Sequence, residues 1–317
     1  MIEPPEGQAS VNTDRLVAVA RVTTPHRQAW MQRIADYAVL TRARLASLVL
    51  FTTVAGYLLG ITGSVVWSKL LSTLIGTGLT ALAANAFNQW MEMHVDARMP
   101  RTRNRPLPAG AISPHSALAV ALGMMLAGLI LLKLAVNGPS AFLAAMTAVI
   151  YLAAYTPLKT RTSLCTLVGA VCGAIPPVIG WTAATGRVEG PAVILGAILL
   201  VWQVPHFLAL AWLYREDYGR SGFRTLPMSD CSGESTGLMI VLYSLVLLPI
   251  GLTGVLVGLS GWAYAAASIA LGLGLVYLAV RFYRDRSARN AKRLFHATLV
   301  YLPLLLTFMI ADRGPAW

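Results

Sequence analysis

The chain has 317 residues, 56% of them hydrophobic and only 12% charged, with a mean hydropathy of +0.65 and a net charge of +12. An average soluble domain carries about 25% charged residues, so this composition excludes a water-soluble fold and predicts an integral membrane protein. The basic residues are dispersed over separate loops, which argues against a nucleic-acid partner, and the three cysteines have neither zinc nor disulfide-framework spacing.

Residues 1–42 are polar and mix arginines with Glu3, Glu6, Asp14 and Asp36. They lack the apolar core of a secretory signal and are too acidic for a mitochondrial presequence. A cytoplasmic tail is expected, with an interfacial helix near Trp30.

Nine apolar stretches follow, at approximately 43–62, 69–93, 115–136, 139–157, 164–183, 191–213, 236–257, 261–280 and 293–311. Each is long enough to cross a hydrocarbon core of about 30 Å. They predict one nine-helix domain over residues 43–312, closed by a short tail, 313–317, on the opposite side. Cytoplasmic loops of membrane proteins carry an excess of Lys and Arg. With the N-terminus in the cytoplasm, 21 of the 25 basic residues fall on that side, leaving Lys69, Lys133, Arg187 and Arg313 on the other.

The second stretch ends in "NQWMEMHVDARMPRTRNRPLPAG", residues 88–110. A helix turns 100° per residue, so Asn88, Glu92 and Asp96 form one stripe that presents an amide oxygen and two carboxylates to the same side. Ionisable groups in spanning segments cost on the order of 3 kcal/mol each and face a cavity or a partner. A carboxylate at a helix C-terminus gains nothing from the helix dipole, so local stability does not account for the pair. "WQVPHFLALAWLYREDYGRSGFRTLP", residues 202–227, places Glu216 and Asp217 at the basic end of the sixth stretch. Adjacent residues diverge by about 100° on a helix, so one of the two is expected to face the first cluster.

Hard oxygen ligands from two helices suit Mg²⁺ shared with substrate phosphates. Arg98, Arg101, Arg103, Arg105, Lys159 and Arg161 follow as candidates for binding a diphosphate, although each alone also fits a charge that sets topology or meets a lipid headgroup. A magnesium diphosphate at the mouth of an apolar helical cavity is the arrangement an isoprenyl diphosphate requires.

These segments, with "YTPLKTRT" at 155–162 and "GAIPPVIGW" at 173–181, resemble the UbiA superfamily of intramembrane prenyltransferases over about residues 40–312. The match is closest to the branch that farnesylates haem. The resemblance implies an all-α nine-helix bundle with a central cavity opening to the cytoplasmic side of the bacterial inner membrane. It implies transfer of farnesyl from farnesyl diphosphate to the 2-vinyl group of haem B, with addition of water and with Mg²⁺ as the metal. It also implies haem A synthase or terminal-oxidase assembly proteins as partners beyond the lipid bilayer. Asn88, Glu92, Asp96 and Asp217 then fall on the metal-binding, catalytic motif positions. Glu216 is the weaker candidate, because the superfamily's second motif has acids four apart where this chain has Tyr214 and Tyr218. "WQVPHF" belongs to the haem branch, which makes His206 and Trp202 the candidate haem contacts, although a lone intramembrane histidine also fits a purely structural role.

Two other readings share part of this pattern. An aromatic-acceptor prenyltransferase of the same bundle, acting on 4-hydroxybenzoate or a naphthoate, would keep the metal site but not "WQVPHF". A transporter would place its charges near the midplane with access from both faces, whereas the acids here gather at one end.

Overall fold

The computed structural model describes residues 26–313 apart from 101 and 221. The expected tail before residue 26, residues 314–317 and the candidate Arg101 lie outside the described residues. The described chain is helical throughout, apart from one isolated bridge between Ser260 and Arg313. The elements are α1 (His26–Leu40), α2 (Ala43–Gly60), α3 (Trp67–Asp96), α4 (Pro114–Ala135), α5 (Gly138–Leu158), α6 (Cys165–Thr185), α7 (Gly190–Leu213), α8 (Glu234–Leu256), α9 (Trp262–Arg284) and α10 (Ala288–Ala311). Two short helices, Arg215–Arg220 and Leu226–Ser229, lie between α7 and α8.

Eight helices, α3 to α10, are each long and apolar enough to span a membrane, and α2 raises the number to nine when taken with α1 across a 61° bend. All nine expected stretches recur, with ends displaced by no more than about five residues. Local chemistry sets several of those ends. Ser113 caps α4 by accepting from Ser116 N at 3.1 Å, and Asn137 caps α5 by accepting from Ser140 N at 2.9 Å. Each is followed by proline in the first turn, where its missing N–H costs nothing. Asn137-Gly138-Pro139 therefore does separate two spans.

The outside of the bundle is apolar. Leu134 is 79% exposed, Trp262 84% and Phe142 66%, a surface suited to lipid. The core centres on α7, whose Leu195, Ile198, Leu199 and Leu208 pack with Leu247 of α8, Leu275 of α9 and Leu302 and Leu305 of α10. Between α2 and α6 the backbones touch. A Cβ on Gly180 would sit 1.9 Å from Thr53 O, and one on Gly56 would sit 1.9 Å from Pro177 O. Small residues permit such close crossings inside a bilayer, where apolar burial gives no drive for helices to associate.

Both acidic segments lie at one end of the bundle, together with the start of α10. Arg224 N donates to Lys159 O at 2.7 Å, and Trp212 Nε1 donates to Arg286 O at 3.0 Å. The sparse cations of the other side sit at the opposite end. Lys69 reaches Ala184 O, and Arg313 reaches Leu58 O and Ile61 O.

At the basic end, Asp230 anchors the start of α8 by accepting from Thr236 N at 2.7 Å and Gly233 N at 3.0 Å. Burial opposes its charge, but these hydrogen bonds, with one from Ser232, hold its carboxyl below the ordinary aspartate range. Asp230→Ala is expected to cost about 1 kcal/mol, read as a lower melting temperature in detergent with prenyl transfer retained.

Candidate active site at the basic end of the bundle

Asn88, Glu92 and Asp96 lie on the last turns of α3, and all three are buried. Asn88 and Glu92 meet the end of α5 and the residue just after it, and Asp96 meets the loop that follows α3. Glu92 Oε1 accepts from Lys159 Nζ at 2.9 Å, and Asp96 Oδ2 accepts from Arg105 Nη1 at 2.5 Å. Thr102 Oγ1 donates to Asp96 O, drawing the arginine-bearing loop back over the helix end.

Lys159 comes into position because α5 does not end as a regular α-helix. Residues Ile150–Tyr155 form a π turn just before Pro157. Proline in a helix interior removes a hydrogen bond and crowds the carbonyl four residues earlier, and a π turn widens the helix there. Thr156 Oγ1 then donates to Tyr151 O at 2.9 Å, and the Lys159 ammonium lies 4.7 Å from the Tyr155 ring and 5.9 Å from the Phe223 ring. Burial works against the charge of Lys159, while Tyr155 and Glu92 favour it, and its pKa ends above the ordinary lysine value.

The Thr156 hydroxyl also fixes the amide of Asn88. It spends its single proton on Tyr151 O, so it can only accept from Asn88, whose Nδ2 stands 3.0 Å away. Asn88 Oδ1 is consequently turned the other way, buried and without a hydrogen-bond partner. A buried acceptor left open on the same stripe as two carboxylates suits a hard cation.

Among the described residues, no three His, Cys, Asp or Glu side chains stand together as a metal cage. The structure therefore does not bring Asp217 together with Glu92 and Asp96 as a three-carboxylate site; waters and substrate phosphates would have to complete the coordination of a Mg²⁺ held on the α3 stripe. Arg98, Arg103 and Arg161 are exposed at the same end. In the second acidic segment Glu216 is exposed and Asp217 half-buried, and both line a cavity of about 310 Å³ with Trp212, Arg215 and Arg286.

His206 lies one turn beyond Trp202 on α7, which runs as a continuous helix through Pro205. Its ring stacks between Trp202, 5.1 Å away at 17°, and Phe295 of α10, 4.9 Å away at 25°. Its Nδ1 is 2.9 Å from Thr298 Oγ1, which donates its own proton to Phe295 O at 2.7 Å. The hydroxyl therefore accepts, so in its neutral form the imidazole carries its proton on Nδ1 and leaves the Nε2 lone pair open. Trp202 Nε1 donates to Thr298 O at 2.8 Å, so one residue of α10 orients both rings.

Residues 49–301 match the UbiA prenyltransferase family. The chain belongs to that family. It is thus an integral membrane prenyltransferase, and two relatives are similar along nearly all of its length. The Protoheme IX farnesyltransferase of Solibacter usitatus is 41% identical over 287 residues, covering 88% of this chain and 98% of the relative. The mitochondrial Protoheme IX farnesyltransferase of Homo sapiens is 40% identical, covering 87% of this chain and 62% of the relative. A UbiA homolog from Archaeoglobus fulgidus, solved bound to DMAPP and Mg²⁺, superposes with a TM-score of 0.68 at 14% identity over 87% of this chain and 99% of that one. At that identity the likeness is one of fold.

For this UbiA-family member, the sequence alone does not single out Thr156, Thr298 or Phe295. Thr156 stands inside "YTPLKTRT", and its place before Pro157 is the available signal. Thr298 and Phe295 carry no local signal, because they act only through α7.

Proposed function

We propose that this enzyme transfers the farnesyl group of farnesyl diphosphate to the 2-vinyl group of haem B, with addition of water, giving haem O. The observation that carries the reading is the 41% identity to a protoheme IX farnesyltransferase along 98% of that relative. The open Nε2 of His206, stacked between two aromatic rings, supports haem as the acceptor.

Asn88 Oδ1, Glu92, Asp96 and Asp217 would hold Mg²⁺, which when bound neutralises the charge developing on the diphosphate. Arg105 and Lys159, now paired with Asp96 and Glu92, would turn to phosphate oxygens as those carboxylates turn to the cation. Arg98, Arg101, Arg103 and Arg161 complete the basic rim. The allylic C–O bond breaks with its electron pair leaving on the diphosphate. The vinyl π electrons form the new C–C bond to farnesyl C1. Water adds to the resulting cation beside the porphyrin and loses a proton, which completes the hydroxyethylfarnesyl chain.

His206 would meet haem through Nε2, as an axial ligand to iron, with Trp202 against the macrocycle. Removing the hydroxyl in Thr298→Val leaves Nδ1–H without an acceptor, a loss of about 1–3 kcal/mol. The expected result is at least about a ten-fold weaker haem titration and a shifted Soret band, both restored in Thr298→Ser. An unchanged titration would remove Thr298 and His206 from the haem site.

On this reading the enzyme sits in the inner membrane with the acidic segments facing the cytoplasm, an orientation that the Lys and Arg distribution supports. Acceptor choice is tested by following diphosphate release from farnesyl diphosphate with haem B or 4-hydroxybenzoate. Release with haem B alone is expected. Release with the aromatic acid alone would leave a prenyltransferase with a different acceptor.

A further inference from the structure

On the outer face of the last two helices, a cavity of about 630 Å³ is lined by Leu278 of α9 and by Arg289, Lys292, Arg293 and His296 of α10. Steps of three and four residues put the four α10 side chains on one stripe, and all four are exposed. No carboxylate answers them among the described residues. The nearby Asp285 is engaged by Ser287 and Asn290, and none of the three cations forms an ion pair with a described residue. His296 donates Nδ1–H to Lys292 O at 2.7 Å, leaving Nε2 for another group.

Further along α10 the same stripe turns apolar while remaining exposed, with Val300 at 56% and Leu304 at 40%. A basic recess at the bundle end, leading directly onto an exposed apolar track, has the polarity profile of a single amphiphile. Charges that serve only to set topology need neither the recess nor the track.

We propose that this groove binds an anionic phospholipid, with the headgroup phosphate held by Arg289, Lys292 and Arg293 and an acyl chain lying along Val300 and Leu304. Guanidinium and ammonium groups match phosphate oxygens, and basic recesses between spanning helices suit anionic headgroups. The site is separate from the prenyl-transfer site, since its side chains face outward while Phe295 and Thr298 face α7.

Native mass spectrometry of the full chain in neutral detergent tests this, with phosphatidylglycerol, phosphatidylcholine of the same acyl chains, and inorganic phosphate as probes. Each cation near an anionic headgroup is worth about five-fold in affinity. Phosphatidylglycerol is expected to bind about a hundred-fold more weakly to the R289Q/K292Q/R293Q variant. It is also expected to outcompete phosphatidylcholine on the unmodified chain and to resist displacement by phosphate. Equal binding of the two lipids, or undiminished binding to the triple variant, would overturn the proposal, and displacement by phosphate would make this a free-anion site. If the triple variant does not fold, K292Q and R293Q are each expected to weaken the lipid about five-fold, and no change in either overturns the assignment.

Discussion

Glu92→Gln is expected to lower single-turnover prenyl transfer by about a thousand-fold while the protein stays folded. Glutamine keeps the volume and one acceptor oxygen, so the hydrogen bond to Lys159, 2.9 Å in the native chain, can survive. The negative charge cannot. A site that must gather a divalent cation and a diphosphate then loses a charged oxygen from the centre of its stripe, between Asn88 and Asp96. Lys159, 12% exposed at its side chain, keeps its acceptor but loses the opposite charge, which lowers the variant's stability without unfolding it. Turnover and thermal melting are therefore measured together, and Lys159→Gln serves as the companion. Loss of activity with a near-native melt assigns Glu92 to chemistry. Activity within about five-fold of the unmodified enzyme would remove Glu92 from the proposed site.

The second large effect is on folding. Gly180→Val is expected to cost about 3 kcal/mol, because its Cβ would lie 1.9 Å from Thr53 O and 2.7 Å from Tyr57 N. Both obstacles are backbone atoms of α2, so no side-chain rotamer relieves the overlap. Gly56 makes the reciprocal approach to Pro177 O, so α2 and α6 would have to separate along the whole crossing. Gly123→Ala and Gly274→Ala are the controls, since an added Cβ meets nothing within 4 Å at either position. In these controls alanine is expected to be neutral or to stabilise by up to about 1 kcal/mol. Recovery of folded protein from membranes and its melting temperature read the difference. A Gly180→Val protein as stable as the controls would contradict the close crossing.

The spans are legible in the sequence because a run of about twenty apolar residues matches the thickness of a bilayer core, and the helical period alone places Asn88, Glu92 and Asp96 on one stripe. Chemistry also points to Lys159 and Arg105 as members of the same basic group. It does not show that each already pairs with one of the acids, because the Lys159–Glu92 contact joins positions 67 residues apart. Register between distant helices decides such pairs, and no local pattern encodes it. The same holds for Thr298, which meets His206 across 92 residues and reads in sequence as one more threonine in an apolar helix. The π turn before Pro157 is closer to legible, since a proline near the end of a span announces some irregularity without specifying its form.

Electrostatics ties these observations together. The two acids of α3 that would hold a cation are each neutralised by a basic side chain from another segment, so the site can exist without metal and without strong repulsion between carboxylates. Magnesium and a diphosphate would arrive with complementary charges and exchange partners with both pairs. On the α3 stripe, the oxygen of Asn88, fixed by Thr156 and left without a donor, would need no such exchange.

The most direct test of the central claim is a single turnover of the purified enzyme with haem B, farnesyl diphosphate and Mg²⁺, followed by mass analysis of the extracted haem. A product heavier than haem B by one farnesyl group plus one water, absent with a chelator and in Glu92→Gln, is the predicted result. Haem B recovered unchanged, while farnesyl is transferred to an aromatic acceptor, would contradict it.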